Sequence, residues 1–237
     1  MDLQQRVRAE GFAFLPGAEL RTLLPVAPGD WNAFAASWGD LALDTHLPDG
    51  HRYRRRRHAT LSARAGETVA RLEPHQPHYQ GLEYNKLVGG IERWFEPVAP
   101  AILEGETFRG VLAFCLAFFG ALRPATAWRI ECHQFRIEAR ADAEGLPTPE
   151  GVHRDGVDFV LVMLVGRTNI ASGTTTVHAP DGTTLGSFTL ATPFDSALVD
   201  DNRVMHGVTA VRPEDLSRPA FRDVLVVTLR ATPPPRA

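Results

Sequence analysis

From Pro124 onward the chain is a run of short strand-like segments separated by turns, with no helical pattern between them. Trp128 to Ile137 alternates apolar and polar residues, as a half-buried strand does. Val157 to Val165 reads as an apolar β-type run, and Ala171 to Ala179 is extended and threonine-rich. Ala179-Pro180-Asp181-Gly182 reads as a turn into Thr184 to Leu190, followed by Asp195 to Val199, Val204 to Val211 and Phe221 to Leu229. About seven short strands at near-regular spacing point to a β-sandwich or jelly roll.

The first half reads differently. Gln4 to Glu10 and Ala18 to Leu24 are short helical segments, and Asp30 is placed to cap a helix from Trp31 to Trp38. Arg52 to Ser62 is extended, with Val69 to Leu72 as a pairing partner. Ile91 to Leu103 and Thr107 to Leu122 read as helices, the second apolar almost all round and therefore central. The expected architecture is mixed α+β, mainly β: one domain over residues 1–237, with a helix-rich part (1–123) packed on a β core (124–231). The Pro233-Pro234-Pro235 tail is expected to fray. Trp31, Trp38, Trp94 and Trp128 are read as core residues.

A chain of 237 residues, 44% hydrophobic and 22% charged, can bury one good core. A formal net charge of −3 argues against a protein built to grip nucleic acid or acidic membranes. Cys115 and Cys132 are too few for a disulfide framework and too far apart for a zinc knuckle, which points to a reducing, cytoplasmic setting. The N-terminus lacks an apolar signal core. The most apolar run, Val111 to Leu122, is shorter than the roughly 20 residues a membrane span needs. Oligomeric state is not legible.

The chemistry-bearing residues are His153-Arg154-Asp155-Gly156, just before a buried strand, and His206, just after the polar turn Asp200-Asp201-Asn202. Two imidazoles and one carboxylate hold one face of a non-haem Fe(II) ion and leave positions open for oxygen and a co-substrate. Structural zinc would want four closed ligands. A dicarboxylate co-substrate calls for an arginine, because a guanidinium meets a carboxylate with two parallel hydrogen bonds. Arg222, early in the last strand, fits, unless it pairs with Asp223; Thr228 shares its strand face. In the basic run Arg52 to His58 the alternation puts arginines on both faces of a strand. That suits a solvated edge strand, with Arg54 or Arg56 as receivers of a substrate carboxylate in a second reading. His46 to His51 and His75 to His78 read as surface loops.

These residues resemble the Fe(II)/2-oxoglutarate-dependent dioxygenases, and more narrowly the bacterial group containing the L-isoleucine hydroxylases. The likeness rests on His153-Arg154-Asp155-Gly156, His206 and Arg222-Asp223-Val224-Leu225. It extends to Tyr79-Gln80-Gly81-Leu82-Glu83-Tyr84-Asn85, Gly89-Gly90-Ile91-Glu92-Arg93 and His133-Gln134-Phe135-Arg136. The resemblance implies a double-stranded β-helix (a cupin-like jelly roll) with iron on His153, Asp155 and His206, and 2-oxoglutarate held by iron and Arg222. It implies oxidative decarboxylation with O2 to succinate and carbon dioxide, and hydroxylation of a small aliphatic substrate, a free L-amino acid. Tyr79, Gln80, Tyr84, Asn85, Arg54, Arg56 and Gln134 are the candidate substrate-contacting residues. Two other readings share the metal ligands: a cupin-like barrel without a dicarboxylate site, and a peptide- or protein-modifying hydroxylase.

Overall fold

In the computed structural model the described residues are 2–24, 26–47 and 53–232; the Pro233–Pro235 tail and part of the His46–His51 stretch lie outside them. Among these residues there are five α-helices: α1 (Leu3–Glu10), α2 (Gly17–Leu23), α3 (Pro28–Ala36), α4 (Pro100–Leu103) and α5 (Glu106–Leu122). The first half also supplies strands β1 (Phe12–Leu15), β2 (Arg54–Ala63) and β3 (Arg71–Leu72). The second half supplies β4 (Ala127–Ala139), β5 (Phe159–Thr168), β6 (Ile170–Ser172), β7 (Thr174–His178), β8 (Thr184–Thr189), β9 (Ser196–Asp200), β10 (Met205–Val208), β11 (Val211–Pro213) and β12 (Ala220–Thr232).

The large sheet runs β1-β9-β5-β12-β4-β2-β3, with antiparallel pairings throughout. A smaller sheet, β10-β7-β8, and the pair β11-β6 make the opposing wall. The result is a jelly roll covered on one side by helices. Its helix-rich first part therefore contributes three strands to the main sheet as well as the helical layer.

Alternation along the strands divides the interior in two. On β5 the odd-numbered Phe159, Leu161, Met163 and Val165 join a core with Phe108, Val111, Cys115 and Phe119 of α5, while Val160 and Leu164 face the small sheet. This is why β5 reads as a continuous apolar run: both of its faces are covered. On β12 Leu225, Val227 and Leu229 face the helices, whereas Arg222, Val224, Val226 and Thr228 face the cavity between the sheets. Phe119 and Phe159 stack with ring centroids 4.8 Å apart and bind the helical layer to the sheet.

Several elements differ from the sequence reading. Ile91 to Leu103 is helical only at Pro100–Leu103. Pro97 and Pro100 forbid a helix interior there, and the segment bridges instead as His78↔Arg93 and His58↔Pro97. Asp30 lies inside α3, which starts at Pro28, and it caps a different helix. Its carboxylate accepts from the backbone N–H groups of Glu106 and Thr107 at 3.1 and 2.6 Å and from the Thr107 hydroxyl, closing the N-terminus of α5. Trp94 is 54% exposed and not core. Strand β2 is paired with β4 along its whole length, and β3 lies outside it over two residues. No helix among the described residues is long and apolar enough to cross a membrane.

Because Asp30 closes the first turn of a helix 76 residues away, Asp30→Ala should lower stability by about 0.5–2 kcal/mol. Urea denaturation would show this as a lower midpoint at unchanged slope; an unchanged midpoint would refute the capping role.

Candidate active site

The segment before β5 runs antiparallel to β10, and one residue pair joins them: His153 and His206 exchange both backbone hydrogen bonds at 2.9 Å. Residues paired across a ladder project to the same side, so the two imidazoles meet, with ring centroids 4.7 Å apart. Asp155, two residues on, projects the same way. Its Oδ1 lies 3.6 Å from His153 Nε2 and its Oδ2 3.6 Å from His206 Nε2. The three donor atoms lie within 4.8 Å of one another, which suits a single metal ion.

The protonation chemistry fits a cation. The Gly151 carbonyl accepts from His153 Nδ1 at 3.0 Å, which makes Nδ1 the protonated nitrogen of the neutral ring and leaves Nε2 bare toward Asp155. Burial acts to lower the pKa of His153, but the Asp155 hydrogen bond and the charges of Asp155 and Glu150 raise it to about 9. Burial and the charge of His153 push His206 down to about 4, so it is neutral, as a ligand must be. A proton on His153 and a metal cation are alternative ways of meeting the local negative charge. Metal uptake at this set would therefore displace a proton, and affinity should fall as pH drops below about 9.

What aims Asp155 is Asp201, from the turn after β9. Its carboxylate accepts from the backbone N–H groups of Asp155, Gly156 and Val157 at 2.9, 2.8 and 3.1 Å. Burial and the nearby charge of Asp155 push Asp201 up to about 7 against the pull of those three donors. Gly156, at φ +76°, completes the bend, and a Cβ there would come within 2.4 Å of the Tyr84 ring. Tyr84 thus backs the metal loop.

The triad opens into a cavity of about 320 Å³ whose walls carry charge from several elements. Arg222 is 1% exposed, and its Nε and Nη2 are buried with no hydrogen-bond partner among the described residues. It does not pair with Asp223, which faces away and is held by Arg136 through two bonds of 2.8 and 2.7 Å. Burial and the charge of Arg167 lower the pKa of Arg222 to about 10, so it stays a cation. Arg54 and Arg56 also line the cavity. Arg54 is bound to Asp44 at 2.7 Å, while Arg56 lies 3.7 Å from the Phe95 ring centroid and 4.5 Å from that of Phe135.

A second buried cluster gathers His58, His78, Glu131 and His133. His78 Nδ1 donates to Glu131 Oε2 at 2.6 Å, and His58 and His133 approach the same oxygen at 3.7 Å. Burial acts to raise the pKa of Glu131, but the three imidazoles hold it well below the usual carboxylate range. Burial in turn lowers His78 to about 4. Arg56 Nη2 donates to His133 Nδ1 at 2.8 Å, so His133 Nε2 carries the proton of the neutral ring and is not free to bind a metal. With Arg129 also on Glu131 at 3.0 Å, this arrangement opposes a second cation and clamps β2, β4 and the His78 segment together.

Of the residues singled out from the sequence, Tyr79, Gln80, Asn85, Arg54, Arg56, Arg222 and Thr228 line the cavity with the triad. Gln134 does not: it sits on the helix-facing side of β4 and donates to Ser37 Oγ at 2.8 Å, because alternation puts His133 and Phe135 inward. Thr228 shares the face of Arg222 but stands six residues along the strand, roughly 20 Å away at 3.3 Å per residue. The two cannot grip the same carboxylate. His78 is buried and bonded to Glu131, not in a surface loop, because its segment pairs with Arg93. Glu131, Glu150 and Asp201 carry no role in the sequence reading, and Arg93 enters it only within the Gly89–Arg93 segment of the family likeness. Glu131 could have been found as the inward neighbour of His133 on one strand; the others come from loops with no periodic signal.

A jelly roll with two imidazoles and a carboxylate at its mouth and a buried unpaired guanidinium inside is the framework of a non-haem iron oxygenase. The chain belongs to the 2OG-Fe dioxygenase family, whose model matches residues 35–228. It is 23% identical over 97% of its length to the 3(1)-hydroxy-L-isoleucine 4-dioxygenase of Pantoea ananatis, covering 96% of that protein. It is 27% identical to the L-isoleucine-4-hydroxylase of Bacillus thuringiensis over 66% of each chain. Among solved structures, a BsmA homologue from Methylobium petroleophilum matches with a TM-score of 0.87 and 39% identity, over 96% of this chain and 91% of that one. IDO from Bacillus thuringiensis shares the fold at a TM-score of 0.80 and 17% identity, covering 98% of both chains. The protein is an Fe(II)- and 2-oxoglutarate-dependent dioxygenase using O2.

The hold of Asp201 on the loop makes a direct prediction. Asp201→Ala should weaken metal binding by roughly 10- to 100-fold, the usual cost of losing a residue that orients a ligand. Competition with a fluorescent chelator would measure it. Undiminished affinity in a folded variant would show that Asp155 is held by other contacts.

Proposed function

We propose that this enzyme hydroxylates a free aliphatic L-amino acid, with His153, Asp155 and His206 holding iron and Arg222 receiving the distal carboxylate of 2-oxoglutarate. The observation that carries the reading is Arg222: a fully buried guanidinium without an ion-pair partner among the described residues, in the same cavity as the triad. An unpaired buried charge is costly, and a carboxylate ligand meets it with two charged hydrogen bonds. A cupin-like barrel without a dicarboxylate site would have no use for such a group. The amino-acid substrate is supported by the two relatives, which act on isoleucine or its hydroxylated form.

Iron, 2-oxoglutarate and O2 together supply the oxidising power, giving succinate and carbon dioxide and placing one oxygen atom on a substrate C–H. The contribution of the chain is placement and exclusion of water. His153, His206 and Asp155 would hold the metal, with the Gly151 carbonyl orienting the His153 ring and Asp201 holding the backbone of Asp155. Val162, Val224 and Val226 give the cavity an apolar wall for the aliphatic part of a substrate. The charged groups Arg54, Arg56, Arg93 and Glu150 line it elsewhere, so both a polar and an apolar end can be met.

Anaerobic titration with Fe(II) and 2-oxoglutarate should give a visible metal-to-ligand charge-transfer band, absent in His153→Ala. Arg222→Ala should keep iron binding while weakening 2-oxoglutarate by roughly a hundredfold, the scale of losing charged hydrogen bonds. Mass spectrometry of turnover mixtures should show one added oxygen on a free amino acid with no peptide present. Oxygen added only to peptides would establish the peptide hydroxylase instead, and a wild type without the band would remove the metal assignment.

A further inference from the structure

We propose that Arg93 and Glu150 are the two poles of a receptor for the zwitterion of an α-amino acid, Arg93 taking the carboxylate and Glu150 the ammonium. The proposal rests on the amino-acid reading above and deepens it.

The cavity arginines are not equivalent. Arg54 is neutralised by Asp44 at 2.7 Å, and Arg56 lies 3.7 Å from the same carboxylate. Arg129 is paired with Glu131 at 3.0 Å. Arg93 is 1% exposed and makes no ion pair with a carboxylate among the described residues. Its Nη2 donates to the neutral Gln80 Oε1 at 2.9 Å, while its Nε is buried without a partner. The same Gln80 amide donates through Nε2 to the Asp155 carbonyl at 3.3 Å. One side chain therefore links Arg93 to the metal loop, and Asn85 Nδ2 steadies it by donating to Gln80 Oε1 at 3.3 Å.

The negative pole shows the complementary defect. Glu150 lines the cavity beside the triad, with Oε1 3.5 Å from His153 Nε2. Its Oε2 is buried without a hydrogen-bond partner among the described residues. Burial and the charge of Arg54 lower the pKa of Arg93, and the charges of Asp44 and Glu150 act against that lowering. A buried guanidinium nitrogen and a buried carboxylate oxygen without partners among the described residues are each unfavourable in one cavity. A zwitterion satisfies both at once and brings no net charge. An internal peptide residue offers these poles only neutral amides, without the opposite charges.

The test uses the protein loaded with Fe(II) and 2-oxoglutarate and kept anaerobic, each variant first being checked for the charge-transfer band. The twenty protein L-amino acids are screened by thermal shift. The tightest is then compared by calorimetry with its carboxamide, which lacks the anionic end, and its deamino acid, which lacks the cationic end. Wild type should favour the zwitterion over both. Glu150→Gln should weaken the amino acid by roughly ten- to hundredfold and leave the deamino acid unchanged. Arg93→Gln should weaken the amino acid similarly and leave the carboxamide unchanged. Should Arg93→Gln not fold, the near-isosteric Glu150→Gln still decides through the deamino acid. Amino-acid binding in wild type with equal binding in Glu150→Gln, or equal loss of all three ligands, overturns the receptor while the substrate class stands. No binding of any amino acid to wild type overturns both.

Discussion

The burial of charge inside the barrel is the constraint on which the rest depends. One face of the large sheet is packed largely on α5 and its neighbours, where Gln134 is met by Ser37 and Asp223 by Arg136, and the remaining charged groups of β2, β4 and β12 gather on the cavity face. Most are met internally: Arg54 by Asp44, Glu131 by three imidazoles and Arg129. These contacts tie β2, β4 and the segment around His78 into one wall. Among the buried polar atoms without a partner in the described residues, those of Arg222, Arg93 and Glu150 line the cavity and are the ones we propose a ligand meets.

The candidate metal-binding set is assembled by backbone geometry and not by side-chain packing alone. A single antiparallel residue pair brings His153 and His206 together. The third donor comes from the same segment as the first, but only because Asp201 holds three successive amides in a bend that Gly156 alone can take. Asp201 stands four residues beyond Ala197 on β9, whose pairing with β5 sets its place. The site thus inherits its precision from the sheet, as expected for a reactive centre carried on rigid elements.

Much of the fold was legible because burial on one face leaves a period of two in the sequence and burial on both leaves an apolar run. Strands β4, β5 and β12 were readable for these reasons. Strand β1 was not: Phe12 to Leu15 is four residues long, too short for a period to show. The helix expected at Ile91 to Leu103 failed because local apolar spacing was weighed above Pro97 and Pro100. Asp30 looked like the cap of its own helix, since the helix it actually closes begins 76 residues later. Gln134 was read as a site residue by its neighbours, when strand alternation alone turned it to the helices.

By itself, the sequence determined the jelly-roll alternation and the spacing of His153, Asp155, His206 and Arg222, because both follow from local periodicity and residue type. Tertiary structure alone decided which charges remain unpaired. Asp223 turned out to belong to Arg136 and so left Arg222 free, and Asp44 took Arg54 while leaving Arg93 with only an amide. Pairing depends on distances between segments tens of residues apart, and an amino-acid string carries residue types without those distances.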